Sequence, residues 1–149
     1  MSEGKVALVT GGGAGIGEAS VLELARGGSD VVIIDVRQAE IERVAEAVRA
    51  LGREALTIVC DVGDDAGMAA AFRQVKERFG RLDQVLVNAG INGMWAPIEE
   101  MTADEWDTTI RVNLRGSYLT VHHAVPLMSE RGGSIVIISS VNGTRTFTT

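Results

Sequence analysis

The sequence predicts an α/β domain built on a doubly wound parallel sheet, and three observations predict it. Short apolar runs rich in Val and Ile recur at residues 5–9, 31–34, 55–60, 84–87 and 134–138. They do not alternate with polar residues, which is how strands read when helices cover both faces of a sheet. A helical pattern separates each run from the next, so the order is β-α-β-α-β-α-β-α-β with right-handed crossovers.

The elements follow in order. The first run leads into glycines and a helix at 16–26 carrying Ala19, Leu22 and Leu24. After the second run, residues 39–51 place Ile41, Val44, Ala45, Val48 and Leu51 on one stripe at i, i+3, i+4 and i+7 spacing. Residues 65–79 do the same with Met68, Phe72, Val75 and Phe79. Beyond the fourth run, Thr102-Ala103-Asp104-Glu105 reads as a capping box. It opens a long helix over 103–130 through Trp106, Ile110, Leu114 and Leu119, which Pro126 is expected to bend or end. Gly52, Gly80 and Gly132-Gly133 sit where helices should stop. The 149 residues read as one domain, 1–149, which breaks off after the fifth strand with 144–149 as the start of a loop.

Composition narrows the function classes. With 46% hydrophobic residues the chain is not a disordered linker. A net charge of −6 argues against nucleic-acid binding, which needs a basic stripe. The single cysteine, Cys60, excludes an internal disulfide and a multi-cysteine metal site, and its apolar neighbours suit a small core residue. His122 and His123 point about 100° apart on a helix and do not readily share an ion, so no metal is expected. No run approaches the roughly 18 apolar residues of a membrane span, and no signal-peptide core is visible. A cytoplasmic protein is the expectation.

The chemistry begins at Thr10-Gly11-Gly12-Gly13-Ala14-Gly15-Ile16-Gly17, between a strand and a helix. The helix N-terminus presents unpaired N–H groups and partial positive charge, and glycine lets a diphosphate approach the backbone. The spacing Gly11, Gly15, Gly17 is G-x-x-x-G-x-G, not G-x-G-x-x-G. A ligand-free strand-to-helix turn is the plain alternative, and the surrounding strand and helix weigh against it. Asp35 ends the second run, 18 residues after Gly17, where a carboxylate can accept both ribose hydroxyls of an adenosine. It would repel a 2′-phosphate: two charges about 4 Å apart at an effective dielectric of about 20 interact by about 4 kcal/mol. NAD is therefore favoured over NADP, with Arg37, two residues on, able to swing in as a phosphate partner.

These residues resemble the short-chain dehydrogenase/reductase superfamily, here the N-terminal part of its Rossmann-type domain. Thr10-Gly11-x-x-x-Gly15-Ile16-Gly17 is similar to that family's cofactor loop, which also includes Gly13. Cys60-Asp61-Val62 resembles its third-strand end, where Asp61 would meet the adenine amino group and Val62 lie alongside. Val87-Asn88-Ala89-Gly90 resembles its Asn-Asn-Ala-Gly motif, with Val87 in place of the first Asn. The resemblance implies that Asn88 steadies the central sheet and that Ala89-Gly90 lie against the adenosine ribose. Val112-Asn113-Leu114 and the strand ending in Ser139-Ser140 resemble the positions of its catalytic Asn and Ser, which makes Asn113 and Ser140 the catalytic candidates. Read without the family, Asp61, Gly90 and Ser140 fall just past carboxyl ends of parallel strands, where open α/β sheets bind ligands. Asn113 in mid-helix is either a solvent-facing residue or a functional break whose carbonyl holds a water. Ser140 is either a turn serine or the catalytic one, and is favoured over Ser139.

One departure matters. The family moves its proton with a tyrosine and a lysine four residues later, beyond the serine. Tyr118 is the only tyrosine, His122 stands four residues after it, and the lysines are Lys5 and Lys76. An unperturbed tyrosine, with a pKa near about 10, is a weak base at neutral pH, and a nearby lysine charge favours its phenolate. Two readings follow: an oxidoreductase acting on an alcohol or carbonyl small molecule, with its Tyr and Lys beyond residue 149, or a non-catalytic NAD-binding module. The row Ile135-Val136-Ile137-Ile138 as an open edge favours the first. Met94-Trp95 either line a substrate pocket or pack at a surface, and Trp106 is expected in packing. The long helix is apolar on more than one side, and the resemblance implies a homodimer or homotetramer built on it.

Overall fold

The computed structural model describes residues 4–143, so the loop expected at 144–149 lies outside the described residues. Its elements are β1 (Val6–Thr10), α1 (Gly15–Arg26), β2 (Asp30–Asp35), α2 (Gln38–Ala50), β3 (Ala55–Val59), α3 (Asp65–Phe79), β4 (Gln84–Val87), α4 (Ala103–Ile110), α5 (Gly116–Met128) and β5 (Ser134–Ile137). The sheet is parallel throughout, in the order β3-β2-β1-β4-β5. The chain winds outward from β1 to β3, then returns across β1 to build β4 and β5. The ends of β1 and β4 therefore diverge into different connections, and that switch point is where open α/β sheets hold ligands.

The two faces of the sheet have separate cores. Leu8, Val32, Ile34, Ile58, Val85 and Val87 pack with Met68, Phe72 and Val75 of α3 and Leu119, Ala124 and Met128 of α5. Val9, Val31 and Ile33 point the other way, onto Val21 and Ala25 of α1 and Ile41, Val44 and Val48 of α2. The period-2 alternation of strand side chains divides each Val/Ile run between these layers. Cys60 is buried in the first core, as its neighbours suggested.

The helix expected over 103–130 is interrupted. Thr102 forms the capping box with Glu105, and α4 runs to Ile110. Arg111–Arg115 then forms a π turn before α5 resumes at Gly116. The extra residue in a π turn breaks the 3.6-residue rhythm, as such insertions do at functional sites. Asn113 stands in this turn. Pro126 does not end the helix; it lies within α5, which stops two residues later at Met128. So close to the end, the proline removes one hydrogen bond from the ladder without breaking the element. Trp106, expected in packing, is exposed and shares an uncovered stripe with Ile110, Leu114 and Tyr118. Among the described residues, no helix is long and apolar enough to cross a membrane.

Candidate functional site

A cleft of about 640 Å3 runs across the carboxyl ends of the strands. Gly11, Ile16, Asp35, Asp61, Val62, Asn88, Ala89 and Gly90 all line it, although they come from four different strand ends. Gly13, Gly15, Gly17, Asn113 and Ser140 are not among its lining residues.

The glycines divide their work. Gly11 turns the chain at φ +66°, and its N–H donates to the Ile34 carbonyl at 2.7 Å. Gly15 has φ +55°, and a Cβ there would meet nothing within 4 Å, so its bare side faces open space. Gly17 differs: a Cβ would overlap the Gly11 carbonyl oxygen and crowd Asn88 Nδ2. Its absent side chain lets α1 seat against the loop. Gly13 is pinned by Asp35, whose Oδ2 accepts its N–H at 3.1 Å. Ala14 supplies no side-chain cap to α1. The first-turn amides of α1 are thus left for a ligand or water, the condition an anion site requires.

Asp35 is buried at the tip of β2, yet both its carboxylate oxygens are engaged. Arg37 Nε donates to Oδ1 and Arg37 Nη2 to Oδ2, each at 3.1 Å, and the Arg37 N–H adds a further bond to Oδ1. Burial pushes the Asp35 pKa up, but the Arg37 guanidinium and the Gly13 and Arg37 N–H groups together hold it below the ordinary carboxylate value. Arg37 is thus the counterion of Asp35, its own side chain half exposed. Asp61 repeats the pattern at the end of β3. Burial raises its pKa, while Arg111 and the Gly63 N–H lower it further, leaving it depressed.

Asn88 donates from Nδ2 to the carbonyls of Thr10 and Gly11 at 3.0 and 3.1 Å. It locks the end of β4 to the end of β1 and to the glycine loop. Asn113 clasps the segment after β4: its Nδ2 donates to the Ile91 carbonyl and its Oδ1 accepts the Ile91 N–H, both at 2.8 Å. Its carbonyl accepts from Ser117 Oγ at 2.7 Å. Asn113 is thus a clamp within the π turn, rather than a solvent-facing amide. Ser140 lies past β5, where its Oγ accepts the Asn142 N–H at 3.2 Å at the start of a short 3₁₀ turn.

Three site-building residues escaped sequence reasoning. Thr10 Oγ1 accepts the N–H groups of both Asn88 and Ala89, at 3.0 and 3.1 Å. A polar β-branched residue closing an apolar run was its signal. Arg43 of α2 grips Glu18 of α1 at 2.7 and 2.8 Å beneath the glycine loop. Arg111 reaches Asp61 across 50 positions, and nothing local in the sequence marks it. His123 stacks on Phe72, and His122 packs at a tilt against Tyr118.

The residues fit an adenine dinucleotide: uncapped helix amides beside an open glycine, an acid at the tip of β2, another at β3, and a backbone shelf at 88–90. Fold and sheet order together define a Rossmann-like α/β protein. The family model for short chain dehydrogenase matches residues 5–149. Among similar solved structures, a 3-ketoacyl-ACP reductase from Sinorhizobium meliloti 1021 shares 49% identity at a TM-score of 0.92, covering 95% of this chain and 56% of that one. A carveol dehydrogenase from Mycobacterium avium in complex with NAD shares 31% at 0.91, covering 96% and 57%. An alcohol dehydrogenase from the archaeon Thermococcus sibiricus complexed with 5-hydroxy-NADP shares 32% at 0.92, covering 97% and 62%. The chain belongs to the short-chain dehydrogenase family of oxidoreductases, which take nicotinamide cofactors. It spans about half the length of the curated relatives it matches.

Proposed function

We propose that this chain is the cofactor-binding part of a cytoplasmic oxidoreductase that moves hydride between NAD(H) and an alcohol or carbonyl small molecule. The observation that carries the reading is Asp35, buried at the β2 tip, hydrogen-bonded to Gly13 and facing the same cleft as Asp61 and Gly90. The first-turn amides of α1 hold the diphosphate, with Gly15 and Ile16 at its approach. Asp35 takes the ribose hydroxyls, Asp61 and Val62 the adenine, and Ala89-Gly90 bring backbone against the sugar. When bound, the nicotinamide gives or accepts the hydride. Ser140 donates a hydrogen bond to the substrate oxygen, and Asn113 holds a water through its carbonyl. The tyrosine and lysine that shuttle the proton lie beyond residue 149 in the whole protein. The uncovered stripe Trp106, Ile110, Leu114 and Tyr118 supports a homodimer or homotetramer, because an apolar helix face of this kind needs a partner surface.

NAD rather than NADP follows from the charge of Asp35, with Arg37 as the group that tempers it. Titration of the intact protein is expected to give tighter NADH than NADPH binding by about tenfold or more, about 1.4 kcal/mol. Tighter NADPH binding would overturn the role given to Asp35. One other reading is a module that binds NAD without turnover. A gene product that ends at Thr149, binds NADH and oxidises no alcohol would establish that reading instead.

A further inference from the structure

Asp61 has an unusual support. Its Oδ1 accepts the Gly63 N–H at 2.8 Å, and its Oδ2 is held by Arg111 Nη1 at 2.6 Å. Arg111 opens the π turn between α4 and α5. The β3–α3 loop is shaped around that side chain: a Cβ on Gly63 would lie 2.6 Å from Arg111 Nη1 and 2.8 Å from its Cγ. One turn further on, a Cβ on Gly116 would come within 3.1 Å of Val62 Cβ. Two bare glycines, one on each segment, thus let the loop carrying Asp61 and the π turn close on each other. Asn113, two residues after Arg111, clasps Ile91 on the far side of the same turn.

We infer that Arg111 is a positioning residue for the adenine end of the cofactor site: it fixes the rotamer of Asp61 from the π turn that also carries Asn113. The inference rests on the proposed role of Asp61 toward adenine. An unsupported aspartate on a loop samples several rotamers, and ordering it on binding costs affinity. A short charge-assisted hydrogen bond from a planar guanidinium removes that cost before the ligand arrives. Both partners are only partly exposed, 39% and 38% by side chain, so solvent does not fully screen the pair. From this one turn Arg111 reaches the loop after β3 and Asn113 the segment after β4.

The test compares Arg111→Met and Arg111→Lys with the intact wild-type protein. Binding is measured for NADH and for reduced nicotinamide mononucleotide, which lacks the adenosine half. In Arg111→Met, NADH binding is expected to weaken about tenfold, the scale of one charge-assisted hydrogen bond. The mononucleotide should bind unchanged, which also shows that the variant is folded. Arg111→Lys, which restores a cation, should lie closer to wild type. Wild-type NADH affinity in Arg111→Met, or an equal loss for both ligands, would overturn the inference. Should wild type itself bind no adenine dinucleotide, the cofactor reading falls first and this one with it.

Discussion

The β1–β2–β3 half of the sheet and the β4–β5 half are written in the same Val- and Ile-rich strands, yet they are finished differently. Every residue of β1 is buried, and so is β2 beyond its first residue, between α1 and α2 on one face and α3 on the other. In β5, Val136 and Ile137 are each 54% exposed. Beside β5, on the α1 side, lies an open groove of about 700 Å3 lined by Ile16, Leu24, Leu86 and Val136. An apolar run therefore states that a strand is suited to burial on both faces; whether it is buried depends on what packs over it. The site straddles this divide. The glycine loop, Asp35 and Asp61 rest on the closed half, whereas Ser140 follows the open strand.

The contrast can be broken by paired truncations. Leu8→Ala, at the centre of β1, is expected to lower unfolding stability by about 2–5 kcal/mol, because it opens a cavity among α3, α5 and the sheet. Ile137→Ala, at an exposed position of β5, should change it by about 0.5 kcal/mol or less. Urea titrations of this chain that give the two substitutions equal costs would show that β5 is covered in solution. Next in size is Gly17→Ala. Its methyl would overlap the Gly11 carbonyl, so a loss of about 1–3 kcal/mol in stability and no measurable NADH binding are expected. Near-normal NADH affinity in that variant would show that the loop can shift without losing the diphosphate.

The smallest effect sharpens the comparison through pH. The Asp35 carboxyl is held below its ordinary value in the folded chain. Its contribution to stability is therefore complete above the unfolded pKa of about 3.9 and fades as pH falls through the lower folded value. Asp35→Asn should be less stable than wild type at pH 7, and the gap should narrow progressively below about pH 4. A gap independent of pH would mean that the pairing with Arg37 adds nothing to folding.

Much of this was legible in the sequence. The five strands, the β-α order, the helix at 65–79 and the glycine loop each rest on local pattern, and local pattern survives into the fold. The uninterrupted helix at 103–130 did not survive. Its capping box and apolar spacing are genuine, but the π turn at Arg111–Arg115 coincides with long-range contacts of Asn113 to Ile91 and Arg111 to Asp61. Periodicity carries no record of partners 22 and 50 positions away. The same limit hid the packing constraint on Gly17, which only the nearness of the Gly11 carbonyl reveals.

The sequence by itself determined the class of fold, the strand ends at which the chemistry gathers and the acids at positions 35 and 61, because short-range hydrophobic period and turn chemistry are properties of neighbouring residues. The tertiary structure alone decided which groups those acids meet: Arg37 and Gly13 at one, Arg111 and Gly63 at the other. It also decided that Asn88 and Thr10 would lock β4 to β1. Side-chain partners are set by how strands line up in space, and strand order in a parallel sheet is written in crossovers that no local window contains.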